Sequence, residues 1–222
     1  MMRPVPLLAA LLALGIGFAS PTTAAPAGET GMTDTADCTI LFDFKRAADR
    51  DAWRVQNDTV MGGNSRGGIE RTDDALVFTG DLVTRGGGFV QMQAELPDGA
   101  LTGMTCIRLV ASGDGRPWRV RITTDTRVPR SAMKGPGDAP VEESGVEMDG
   151  PRVSFAAAIP TLGQGDPALA TVSMDDSEPS VRGRPVPGAV YDASRARVIG
   201  FILSDGQDAA FRLEVQRIEV CR

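Results

Sequence analysis

Gly113-Asp-Gly-Arg-Pro-Trp-Arg-Val-Arg-Ile-Thr123 couples a turn to a two-residue alternation. Trp118, Val120 and Ile122 alternate with Arg119, Arg121 and Thr123. Successive side chains of an extended chain point to opposite faces, so this pattern describes a strand with one face in a core and a cationic outer row. Gly113-Asp-Gly115 is a hairpin signal, and the apolar run from Met104 to Ser112 reads as the antiparallel partner strand. Working outward, strands are predicted over Ile40–Phe44, with Ile40, Phe42 and Phe44 in phase, and over Ala75–Thr79, Phe89–Glu95, Arg152–Ile159, Arg197–Ser204 and Ala210–Val220. In the last of these the phase of Phe211, Leu213 and Val215 shifts to Ile218 and Val220, which places a β-bulge near Gln216. Lys45 to Ala52 makes a short helix or turn that delivers Trp53 to the core. Residues 129–151, rich in Pro, Gly and charge, form a long excursion, and Thr161 to Pro167 a second loop. Many short strands, turn signals between them and no amphipathic helix define an all-β fold, an antiparallel β-sandwich closest to a jelly roll.

The chain opens with Arg3, an apolar run from Leu7 to Phe18 and small residues ending in Ala25-Pro26-Ala27, the layout of a secretory signal peptide over residues 1–27. The run is shorter than the roughly 20 residues that span a bilayer, so cleavage is expected, with no membrane span left in the mature chain. Cys38 lies far beyond the run and follows Thr-Ala-Asp, which argues against a lipid anchor. Residues 28–37 read as a flexible tail and 38–222 as one domain, periplasmic or secreted. Loss of residues 1–27 removes one Arg and no acid, leaving 22 Lys+Arg against 29 Asp+Glu and a net charge of −7. Such a chain repels phosphate backbones, so no nucleic-acid partner is expected. In an oxidising compartment, Cys38 and Cys221 at the two ends of the domain favour a disulfide between the first and last strands. Cys106 then reads as a buried, inert thiol, with its pairing to one of the terminal cysteines as the alternative.

There is no histidine. That removes Ser-His-Asp and Cys-His catalysis, His-ligated zinc and the usual general base near neutral pH. Three scattered cysteines do not build a zinc site, and the glycine clusters lack the Gly-Lys-Ser/Thr of a phosphate loop, so no metal and no cofactor is expected. Glycoside hydrolysis needs only a pair of carboxylates, but the candidates Asp58, Asp114, Asp175 and Asp176 stand in turn-like contexts.

The most unusual stretch is Trp53-Arg-Val-Gln-Asn-Asp-Thr-Val-Met-Gly-Gly63, followed by Ser65-Arg66 and a second glycine pair at 67–68. It reads either as a recognition loop or as a structural turn plugged into the core by Trp53. The pattern W-x-x-x-N-D-x-V-M-G-G resembles the signature of the CIA30 family, named for the complex I intermediate-associated protein 30. Phe78-x-Gly80, Gly87-Gly-Phe89, Gly113-Asp-Gly-Arg116, Arg182-Gly-Arg-Pro185 and Ile199 to Asp205 leading to Phe211-Arg-Leu-Glu214 follow in the family's order. The resemblance implies a galactose-binding-like jelly roll and a protein that is not a catalyst. Its mitochondrial members act as assembly factors for respiratory complex I. Val90-Gln-Met-Gln93 stands where the family tends to Ser-x-Arg, and Met174 to Val181 replaces an aromatic-rich approach to the Arg-Gly motif.

The expectation is a non-enzymatic, exported binding or assembly-assisting protein with a protein partner. Its face would unite Asn57, Asp58, Met61, Gly62, Gly63, Ser65 and Arg66 with Gly87, Gly88 and Phe89 of the Gly86–Phe89 loop and with Arg182 and Arg184, where the three loops converge. The alternative is a carbohydrate-binding module holding a small sugar ligand.

Overall fold

Apolar/polar alternation builds two antiparallel sheets in the computed structural model, which describes residues 37–129 and 150–222. Sheet A runs β3 (Arg66–Arg71), β4 (Leu76–Leu82), β13 (Ala209–Cys221), β6 (Cys106–Gly113) and β9 (Ala168–Ser173). The edge of β13 that takes β4 over its first half takes β1 (Cys38–Asp43) over its second. Sheet B runs β11 (Arg184–Pro185), β10 (Glu178–Val181), β8 (Arg152–Ala158), β7 (Arg119–Arg127), β12 (Ala196–Leu203), β5 (Val90–Glu95) and β2 (Arg54–Asn57). These residues belong to one compact unit, Thr35–Arg222. The predicted signal, the tail up to residue 36 and residues 130–149 of the excursion lie outside the described residues. No helix among the described residues is long and apolar enough to cross a membrane.

The core lies between the sheets. Phe78, Leu109, Leu213 and Val215 from sheet A meet Met92, Val120, Ile122, Phe155 and Phe201 from sheet B, all buried. A short helix, Ala47–Asp51, delivers Trp53 as expected: its indole stacks on Phe201 at 5.5 Å and takes Phe42 and Phe44 edge-on at 5.4 and 5.8 Å. Trp118 closes the other end against Phe78 and Phe211, and its Nε1–H donates to Asp114 Oδ1 at 3.1 Å. Removing either indole costs about 3–5 kcal/mol by cavity formation.

The bulge expected at Gln216 is present: the β13–β6 register shifts between Val215 and Arg217, and Phe44 N–H donates to the Gln216 carbonyl at 3.1 Å. A second bulge, unforeseen, falls in β1 between Ile40 and Phe42. It corrects the expected phase of that strand, because the extra residue turns Ile40 to solvent, 51% exposed, while Phe42 and Phe44 stay inside. Strands β2, β3 and β9 are also additions. The first two lie within the glycine-rich stretch read as loop, where only Val55 and Ile69 carry an apolar signal.

Cys38 and Cys221 form the expected disulfide. Cys106 departs from expectation: it is partly exposed, because Ile107, Leu109 and Ala111 take the inward positions of β6 and leave it on the other face. It pairs across the sheet with Cys221, so the three cysteines share one row. The disulfide closes a loop with a sequence separation of 183, for which the chain-entropy model gives about 5 kcal/mol as an upper figure. The double variant Cys38→Ser/Cys221→Ser is expected to lower the melting temperature by up to about 10–20 °C in a thermal scan without reductant, and reductant is expected to shift the wild type by the same amount.

Candidate functional site

Two neighbouring arrangements are built from the residues singled out above. The first centres on Asp58, fully buried at the start of a 3-10 turn, Asp58–Met61, that ends in Gly62 at φ 88°. Its carboxylate accepts from Ser65 N–H (2.9 Å), the Ser65 hydroxyl (2.6 Å) and Gly88 N–H (2.6 Å). Its own N–H donates to the Phe89 carbonyl at 3.2 Å, and Ser65 Oγ accepts from Val83 N–H at 3.0 Å. Burial pushes the carboxyl's pKa up, but the Ser65 hydroxyl and the N–H groups of Gly88, Ser65 and Phe89 outweigh it and hold it below the ordinary value. Two glycines are required by the close approach: a Cβ on Gly63 would lie 2.2 Å from Asp58 Cγ, and one on Gly87 2.3 Å from Oδ2. Asn57 Nδ2 donates to the Gly67 carbonyl at 3.3 Å, while its buried Oδ1 has no partner. The tip of the loop exposes Val60 (64%) and Met61 (61%).

The second arrangement is the face of sheet B turned away from the core. Register aligns Gln56 with Gln91, Gln93 with Gly200, Gly200 with Arg121, and Thr123 with Ser154. Gln91 Nε2 donates to Gln56 Oε1 (3.4 Å) and to Gln93 Oε1, and Gln91 Oε1 accepts from Arg121 Nη1 at 2.8 Å. Arg121 Nη2 donates to Ser154 Oγ at 2.9 Å, and Ser154 Oγ bonds Thr123 Oγ1 at 2.8 Å. The chain of contacts therefore crosses five strands. At Gly200 a Cβ would stand 2.7 Å from the Met92 carbonyl, so β12 needs a glycine where it passes between Gln93 and Arg121. Beside the row opens a pocket of about 550 Å³, floored by Arg119, Arg121 and Ile202 and walled by Glu178, Ser180 and Pro187. Arg119 Nη2 donates to the Ala156 carbonyl (2.6 Å) and to Glu178 Oε2 (2.8 Å). Burial pushes the Arg121 guanidinium's pKa below its ordinary value.

The expected convergence of three loops is thus two-thirds present. Asn57, Asp58, Gly63 and Ser65 meet Gly87, Gly88 and Phe89 around the Asp58 carboxylate. Arg66 opens β3 and is exposed. Arg182 (φ 50°) and Arg184 belong to the β10–β11 hairpin, at the end of sheet B opposite β2. Of the candidate carboxylates, Asp58 is sealed in, Asp114 caps Trp118 and accepts from Arg212 N–H at 2.7 Å, and Asp175 and Asp176 are exposed in a turn. Among the described residues no cluster of three or more His, Cys, Asp or Glu is placed to hold a metal ion. Gln56, Gln91, Gln93, Arg121 and Ser154 were not singled out as a site from sequence. Their signal was the polar phase of β5 and β7, which marks an outward face without showing that strands distant in sequence align on it.

A two-sheet antiparallel sandwich of this topology defines a galactose-binding-like type of domain. A profile of the complex I intermediate-associated protein 30 (CIA30) family matches residues 42–215, and the chain belongs to that family. The search of curated proteins returned no match. Among solved structures, the chain is similar to the family 11 carbohydrate-binding module of the cellulosomal cellulase Lic26A-Cel5E of Clostridium thermocellum, with TM-score 0.53 and 14% identity over 83% of this chain and 94% of that one. It is likewise similar to the Clostridium thermocellum family 11 module in complex with a β-1,3-1,4-mixed-linked tetrasaccharide, with TM-score 0.54 and 13% identity over 83% and 95%. At such identities the likeness establishes the fold.

The Asp58 anchor sets an expectation for stability. Asp58→Asn offers an amide N–H₂ where the site needs acceptors and strands buried donors, at a cost of about 3 kcal/mol, or roughly 6–12 °C in melting temperature at pH 7. Because the folded-state pKa is depressed, the carboxylate's contribution is full above its unfolded value near 4 and lost as pH falls through the folded value. The gap between wild type and variant in thermal scans is therefore expected to close below about pH 4.

Proposed function

We propose that this is a non-catalytic, exported binding protein that holds a saccharide segment along the outward face of sheet B. The observation that carries the reading is the row Gln56–Gln91–Gln93–Arg121–Ser154, in which the buried Gln91 and Ser154 fix the partly exposed Gln56, Gln93 and Arg121 in place before any ligand arrives. Preorganised donors and acceptors lose little entropy on binding and suit the dense hydroxyls of a sugar. Among the described residues the lining of the adjacent pocket contains one carboxylate, Glu178, already bonded to Arg119, whereas glycoside hydrolysis uses two. A module of the same fold in complex with a mixed-linked tetrasaccharide supports the choice of ligand class. Titration calorimetry against a panel of neutral and acidic tetrasaccharides is the test. Binding is expected for at least one member, weakened about tenfold or more in Gln56→Ala/Gln93→Ala with an unchanged melting temperature; a panel without any heat of binding removes the reading.

A second reading, assembly assistance, is favoured by the apolar tip Val60–Met61, exposed yet held rigidly above the Asp58 anchor, and by the family. Exposed aliphatic and thioether groups on a fixed turn are suited to a protein partner. Cross-linking from position 61 in the membrane fraction is expected to trap one protein in the wild type and none in Val60→Asp. Equal labelling in both would reject this role.

A further inference from the structure

Two arginines on the outward face of sheet B are answered by acids: Arg54 by Glu95 at 3.0 Å and Arg119 by Glu178 at 2.8 Å. Arg121, two residues along β7 from Arg119 and in one cross-strand row with Arg54 through Gly200 and Gln93, bonds among the described residues only to neutral acceptors, Gln91 Oε1 and Ser154 Oγ. A guanidinium carries five N–H donors, and these bonds occupy two. Beside it the Nε–H of Arg119 is buried and has no partner. Among the described lining residues Glu178 is the one carboxylate, its side chain 75% exposed. Two cations against one anion make the described lining positive in a chain whose net charge is −6. A half-buried cation without a counter-charge is costly, and an incoming anion recovers that cost.

The shape narrows the anion. Ser180 and Ser204 supply hydroxyls, while Ile202, Pro185 and Pro187 supply apolar wall, a mixture that matches the polar rim and C–H face of a pyranose ring. An extended polyphosphate is disfavoured by the acidic surroundings, whereas a single planar carboxylate fits the remaining fork of Arg121. We propose, resting on the saccharide reading above, that the pocket binds a uronic-acid residue of an acidic glycan, its carboxylate between Arg121 and the Nε–H of Arg119.

Calorimetry on the full mature chain tests this with four probes: tetragalacturonate, its fully methyl-esterified form, a sulfated tetrasaccharide and a neutral mixed-linked glucan tetrasaccharide. Tetragalacturonate is expected to bind about tenfold or more tighter than its ester and than the sulfated probe, with the gap narrowing as salt rises. Arg121→Gln, which keeps a polar group between Gln91 and Ser154, is expected to bring the acid down to the ester's affinity. Glu178→Gln removes the competing carboxylate and is expected to tighten the acid severalfold, a response that a purely structural arginine would not produce. Equal affinity for acid and ester, sulfate binding as tight as carboxylate, or an acid preference that survives Arg121→Gln would overturn the uronate assignment while leaving saccharide binding intact. Should Arg121→Gln fail to fold, an unchanged acid affinity in Glu178→Gln overturns it equally. If no probe binds, the saccharide reading falls with it.

Discussion

The buried carboxylate of Asp58 is the constraint on which the polar face of sheet B depends. Ionised groups are expensive to bury, and this one is tolerated because three donors from two separate loops converge on it within 3 Å. The consequences run outward through the chain. Gly63 and Gly87 must be bare because the carboxylate fills the space of their Cβ atoms, and Ser65 must carry a hydroxyl that reaches both Asp58 and Val83. The Asn-Asp-x-x-Met-Gly-Gly run is thereby explained as an anchor, a tight turn and a close approach, without appeal to a ligand. Its reach is longer than the loop. Asp58 N–H holds the Phe89 carbonyl, the residue before β5, and so fixes where β5 begins and which way Gln91 and Gln93 point.

The two sheets divide the labour. Sheet A carries the disulfide and a set of ion pairs on its outward face, such as Arg108 with Glu219 at 2.6 Å, in which each charge is answered from within the chain. Sheet B's outward face also carries ion pairs, Arg54 with Glu95 and Arg119 with Glu178, but its central row is organised differently: glutamines, hydroxyls and one arginine bonded to neutral groups. Neutral hydrogen bonds exchange readily for others of the same kind, whereas a closed ion pair resists an incoming group. That contrast is why the groove on sheet B, and not the flank of sheet A, is the face read as a binding surface.

Much of the architecture was legible in the sequence because alternation reports burial directly. Trp118-Arg-Val-Arg-Ile-Thr123 reads as β7 with both faces correctly assigned, and the phase change around Gln216 marks the bulge of β13 to the residue. The disulfide followed from the placement of Cys38 and Cys221. Alternation failed where the inward side chains are few: β2 and β3 are pinned by backbone pairing with their neighbours and by Asp58, neither of which leaves a periodic trace. The loop around Asp58 was visible as a unit, but its role was not, since an Asp in a turn reads alike whether it faces a partner or its own amides. The groove was the least legible part. Gln91 and Arg121 are 30 residues apart, and Ser154 is 33 beyond Arg121; only the order β8-β7-β12-β5-β2 makes them neighbours.

The position of β13 in sheet A has a consequence for how the molecule is made. It is the last of these strands to leave the ribosome, yet it is the one against which β1, β4 and β6 all pair. Until residues 209–221 emerge, a nascent chain presents three unmatched strand edges and a Cys38 whose native partner does not yet exist. Sheet A is consequently completed only after translation of the whole domain, so that its folding is a post-synthetic event triggered by the arrival of a single C-terminal strand.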